Sequence, residues 1–342
     1  MAEKKKDLGL PQTKGSFQVR GKVNGTKKEK FYTEKLTKTD KPWRAVSFGV
    51  EFEPGSTMYV GLNGMEKDTV YFGKRPEEKG GKYITKEVPW KDRFTFAEKD
   101  FELIGVSLGV TKKKDEKGNE VNDKKKMTDY DSCKEIADNL VDNKTVFIKG
   151  NIEYGSYKDK HTTKFIPSQV SLAKDIDFVA EDFKPLADFT QVIVYVSTTP
   201  NEDKTRATVA AKIVTYDSVQ DAEFIITDMN LARMFNKNLK PYTSIKVWGN
   251  ISVEENTEEV TTTDCWGTEN NMEKANTPTI RELIITGADP ETIDTTTYTE
   301  AEIDKAIESA KASKAAEKDF GGSTEGWGSV EKSNDADDDC GW

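Results

Sequence analysis

The chain has 342 residues, 33% of them charged and 35% hydrophobic, with a formal net charge of −10. That length accommodates about two domains of ordinary size, and no stretch approaches the roughly 20 apolar residues of a membrane-spanning helix. One histidine, three isolated cysteines (Cys133, Cys265, Cys340) and no Walker A, GxGxxG, HExxH or CxxC motif count against nucleophilic, nucleotide-dependent and zinc chemistry, so a binding protein without cofactor or metal is expected rather than an enzyme. The basic N-terminus has no apolar segment behind it, which argues for a cytoplasmic protein in a reducing compartment.

The charge is divided along the chain. Residues 1–185 hold 37 Lys and Arg against 31 Asp and Glu, a net of +6, whereas residues 186–342 hold 14 against 30, a net of −16. Such polarity points to a basic interaction surface in one half and an acidic element in the other.

After a basic arm (1–15), residues 16–23 alternate, with Phe17, Val19 and Val23 on one face and Gln18, Arg20 and Lys22 on the other, the pattern of a half-buried strand. Asn24-Gly25 supplies turn chemistry. Further strands are expected at 43–53, with Val46, Phe48, Val50 and Phe52 inward and Trp43 opposite, at 57–62 and at 69–73, the last two flanking Asn63-Gly64. Residues 74–100 read as a long loop or excursion, and the almost wholly charged 111–126 as a mobile insertion. A short helix at 129–144 and two strands within 145–173 complete the unit. Strands, a short helix and a closing hairpin follow the order of an OB-fold.

The order repeats. Strands are expected at 189–197, 207–215 and 222–227, a helix at 231–239 stopped by Pro241, and closing strands at 243–255 and 279–287. IKGNIEY (148–154) and VWGNISV (247–253) fall at equivalent places, which suggests internal duplication. From 299 a capping box opens an Ala-rich, weakly amphipathic helix expected as a tether. The fold expected is mainly β: two OB-fold-like barrels with short helices (16–185, carrying the Lys-rich insertion, and 186–290), a helical tether (291–318) and a disordered acidic tail (319–342).

Binding a single nucleic-acid strand needs cations that replace counterions and exposed rings on which bases stack, each worth about 1–3 kcal/mol. The first unit offers both. Arg20, Lys22, Trp43, Arg44, Tyr59, Tyr71, Lys74, Arg75, Lys149, Tyr154, Tyr157, Lys158, Lys160 and Lys164 fall on expected outward faces or loops. The second unit, with 9 basic and 16 acidic residues over 186–290, suits phosphates poorly and is open to a docking or self-association role.

The chain ends in Asp335, Asp337, Asp338 and Asp339 followed by Cys340-Gly341-Trp342. This acidic string with a terminal aromatic resembles the C-terminal tip of bacterial and bacteriophage single-stranded DNA-binding proteins. The resemblance implies a tip whose aromatic docks in an apolar pocket of replication or recombination proteins while its carboxylates meet basic residues. It also implies sequence-independent coating of single-stranded DNA, in the host cytoplasm if the chain is from a phage. Two barrels in one chain look more like a phage replication protein than the one-barrel bacterial form. A virion structural or assembly protein and a single-stranded RNA-binding protein are the alternatives.

Overall fold

The computed structural model describes residues 8–76, 84–157, 160–254, 259–263, 269–273 and 280–319. Strands β1 (Gly15–Asn24), β2 (Tyr32–Leu36), β3 (Pro42–Glu53) and β4 (Ser56–Met65) come first. Seven short strands follow: β5 (Thr69–Lys74), β6 (Ile84–Pro89), β7 (Glu102–Leu103), β8 (Val106–Gly109), β9 (Lys112–Lys114), β10 (Glu120–Asn122) and β11 (Lys125–Met127). Helix α1 (Asp129–Asn139) leads to β12 (Thr145–Tyr157) and β13 (Lys160–Leu172).

The second half contains β14 (Leu186–Pro200), β15 (Ala207–Val214), β16 (Val219–Ile226), α2 (Met229–Asn238), β17 (Thr243–Glu254), β18 (Glu259–Thr263), β19 (Glu269–Glu273), β20 (Ile280–Asp294) and α3 (Glu300–Asp319).

Two barrels with one topology result. In the first, β1 pairs antiparallel with β3, β3 with β4 and β12 with both β1 and β13, and a parallel bridge from Phe165 to Val60 joins β13 to β4. The second repeats this with β14, β15, β16, β17 and β20, closing through the parallel pair Ile225 and Ile284. Three meandering strands, a helix and a hairpin that returns to strands one and three make each unit an OB-type barrel. The core follows the strand alternation: Phe17, Val19, Phe48, Val50, Met58, Val60 and Phe165 fill the first barrel, and Phe189, Ile193, Val209, Phe224 and Val247 the second. Helices α1 and α2 plug their barrels with Cys133, Ile136 and Phe235. Burial pushes the Cys133 thiol up to about 12, so it packs as a small apolar group.

The sequence echo has a steric cause. Gly150 faces Phe17 across β12 and β1, and Gly249 faces Phe189 across β17 and β14. Both glycines sit where the pairing with the last barrel strand shifts register. A Cβ at Gly150 would overlap the carbonyl oxygen of Ile166, and one at Gly249 that of Ile284. Each barrel thus needs a residue without a side chain at the same turn of its wall.

The structure departs from three expectations. Asn63-Gly64 lies inside β4 and is no turn; a Cβ at Gly64 would overlap the backbone of Tyr130, where α1 crosses the strand. The strand after it, β5, leaves the barrel and joins β6 and β7 in a small sheet with its own core of Val70, Phe72, Val88 and Leu103. The charged 111–126 segment is structured: β9 and β10 form a hairpin braced by Lys112–Glu120, and β11 pairs with β8, which itself extends the barrel wall beside β13. Cross-strand ion pairs satisfy a hairpin that has almost no apolar side chain to bury.

Helix α3 is not a bare tether either. Thr299 Oγ1 accepts from the Glu302 amide, and Ile303, Ala306 and Ala310 are buried, Ile303 packing with Val194, Val214 and Tyr298. Small residues at helical spacing let the helix lie close on the second barrel, which a weak hydrophobic stripe conceals. The barrels themselves are joined through their first strands: Gly15–Arg20 of β1 pairs antiparallel with Leu186–Gln191 of β14.

Candidate nucleic-acid interface

The outward positions of β3 and β4 build a floor of small side chains. Ala45 pairs with Asn63, Ser47 with Gly61 and Gly49 with Tyr59. Trp43 stands at one end of this floor and Tyr59 at the other, six residues apart along β3, or about 20 Å. Each ring has a lysine above it. Lys35, paired with Trp43 across β2 and β3, holds its Nζ 4.9 Å from the indole centroid, and Lys28 lies 5.6 Å from that of Tyr59. Tyr59 is 43% exposed. When each lysine swings from its ring to a neighbouring phosphate, the floor frees two ring faces on which bases can stack.

The other expected residues are divided among several places. Arg20, Lys22 and Lys149 share the outward face of β1 and β12: Arg20 pairs with Phe147, Lys149 with Gln18, and Lys22 Nζ lies 4.6 Å from the Phe178 ring. Tyr71 and Arg75 are exposed on the small sheet, away from the β3–β4 floor, and Lys164 is exposed on β13 next to the closing pair Phe165–Val60. The backbones of Tyr157 and Lys160 pair at the tip of the β12–β13 hairpin. Lys158 lies outside the described residues, as do Asp335, Asp337, Asp338, Asp339 and Trp342.

Three residues serve the fold instead of an open surface. Arg44 donates to Glu34 at 2.9 Å and stacks over Tyr130 at 4.0 Å, so its charge clamps β2, β3 and α1 together. Lys74 pairs with Asp100 at 3.2 Å. Tyr154 has the parity of Ile148 and Ile152, not that of the outward Lys149. Its hydroxyl is buried without a partner among the described residues, and burial pushes the phenol far above the usual tyrosine range. It lines a cleft of about 280 Å³ between the barrels, opposite Asp221, Glu223 and Arg281.

Sequence reasoning passed over Lys28, Lys35 and Trp248. Only the β2–β3 register brings Lys35 onto Trp43. Trp248, 41% exposed on β17, was open to the same alternation argument as Trp43, since Val247 and Gly249 flank it on the inward face.

Among the described residues no group of three or more His, Cys, Asp and Glu is gathered to hold a metal ion, and no helix is long and apolar enough to cross a membrane. The model of the YorF family matches residues 76–322. No curated protein matches the chain. Among solved structures, the wild-type single-stranded DNA binding protein from Thermus aquaticus is similar at a TM-score of 0.37 and 9% identity, over 82% of this chain and 93% of that one. A deletion mutant of the same protein gives 0.38 and 10%, over 81% and 94%.

Proposed function

The chain belongs to the YorF family, and we propose that it binds single-stranded DNA without sequence preference, coating it during replication and recombination. The observation that carries this reading is the β3–β4 floor, where Trp43 and Tyr59 flank small side chains and each lies beneath a lysine. Stacking on ring faces tolerates every base, and lysines read phosphates rather than sequence. Ring faces stack on splayed bases and cannot reach those of a closed duplex, so the floor suits a single strand better. In the same reading the acidic tail, ending in Trp342, recruits protein partners and competes with DNA for the basic surface at low salt.

Titration of labelled dT, matched RNA and duplex strands at two salt concentrations tests it. The expected result is a clear preference for the single DNA strand, an affinity that falls with salt, and tighter low-salt binding once the last ten residues are removed. Equal affinity for duplex and single strand would overturn the reading, and tighter binding of RNA would move it to single-stranded RNA.

A further inference from the structure

The outward face of β1 does not end with the first barrel. Because β1 pairs with β14, outward residues form rows that cross from one barrel to the other. Asn151 pairs with Ser16, Ser16 with Thr190 and Thr190 with Trp248; in the next row Lys149 pairs with Gln18, Gln18 with Asp188 and Asp188 with Asn250. The surface is also continuous with the β3–β4 floor, since Tyr59 pairs with Gly49 and Gly49 with Asn24 at the end of β1. Eight residues along β1 and two strand spacings at either end put about 45 Å between Tyr59 and Trp248 along this route, a span in keeping with the several nucleotides an OB-type barrel covers.

The route is charged for a polyanion and ends on a prepared ring. Lys22 and Arg20 lie along β1, Lys149 and Lys246 are exposed to either side, and Arg20 Nε is buried without a hydrogen-bond partner among the described residues. Of the acids beside it, Asp188 accepts from Gln18 Nε2 at 3.0 Å, Glu51 pairs with Lys22 across β1 and β3, and Asp289 pairs with Lys246 across β17 and β20. At the far end the Trp248 indole lies against Gly287 of β20, where a Cβ would fall 2.6 Å from its Cε2 and Nε1. The absence of a side chain at 287 lets the ring rest on the strand while 41% of the residue stays exposed.

We propose that Trp248 is a second stacking platform, and that a single strand seated on Trp43 and Tyr59 runs along the outward face of β1 onto the second barrel. This rests on the single-strand reading above and assigns the second barrel a contact through β17. The strand passes over a face formed only because the two first strands pair, so the barrels act as one binding body.

The test compares a dT strand of about 6 nucleotides with one of about 20, a choice that brackets one barrel's usual site size, by fluorescence anisotropy on the full chain. Trp248→Ala is expected to weaken the longer strand about tenfold and leave the shorter within twofold. Gly287→Val, which displaces the indole without deleting it, should copy the loss, and Trp248→Phe should restore most of it. If wild type binds both strands and Trp248→Ala binds the longer one unchanged, the second platform is wrong and single-strand binding stands. If Trp248→Ala instead alters sedimentation at constant affinity, Trp248 is a contact between copies of the chain and the proposal fails. Wild type binding neither strand would overturn the single-strand reading itself.

Discussion

The second and third strands of the two barrels have the same topology and opposite surface chemistry. In the first barrel the outward positions of β3 and β4 are Ala45, Ser47, Gly49, Gly61 and Asn63 between Trp43 and Tyr59, with Lys28 and Lys35 above the rings. In the second, β15 pairs Lys212 with Asp221 and Ala210 with Glu223 on β16, and Lys212 donates to Asp221 at 2.7 Å. Its carboxylates line the cleft against Tyr154 and His161 of the first barrel. Packing between barrels is reciprocal, β12 and β13 against β16 and β17 against β4, so position alone does not separate the two faces. A duplicated fold keeps its inward residues for the core, while its outward ones are free to diverge in charge.

The barrels should differ most sharply at the rings. Trp43→Ala and Tyr59→Ala should each cost about 1–3 kcal/mol of single-strand affinity, and the double variant close to their sum because the sites are some 20 Å apart. Unchanged binding with intact thermal unfolding would remove the first barrel's special status. Next in size is the feature the barrels share. Gly150→Ala and Gly249→Ala should each lower stability by about 1–3 kcal/mol through forced backbone shifts, as read by denaturant unfolding. If only one did so, the two walls would not be built alike.

The smallest effect concerns charge. Lys28→Gln with Lys35→Gln should flatten the salt dependence of binding by about 0.7 in log–log slope for each phosphate left without its lysine, whereas Asp221→Lys with Glu223→Lys should leave it unchanged. A second-barrel pair that steepened the slope would make its β15–β16 face part of the binding track.

Much of the candidate surface was legible from alternation, because a residue's parity on a strand fixes which face it takes. Arg20, Lys22, Trp43, Tyr59 and Lys149 were readable on that ground. Tyr154 was not misplaced by its strand but by its parity: it follows Ile148, Gly150 and Ile152, all buried, and a tyrosine's polar tip disguised an inward position. Arg44 shares the inward parity of Val46 and Phe48, which its charge disguised, and Lys74 was misread because its partner Asp100 comes from a distant loop and leaves no local signal. Helix α3 hid its packing in Ala306 and Ala310, whose small side chains register weakly in any hydrophobic pattern.

The amino-acid sequence alone determined the mainly β class, a short helix followed by a closing pair of strands in each of two successive units, and the Gly-Asn echo at 150–151 and 249–250. These are local properties, set by side-chain period, turn chemistry and caps over a few residues. Tertiary structure alone decided that β5 leaves the barrel, that Gly64 makes room for α1, and that β1 pairs with β14 to carry one surface across both barrels. Each depends on which segments meet after folding. Strand pairing between residues some 170 positions apart obeys the register of the whole sheet, and no short stretch of sequence encodes that register.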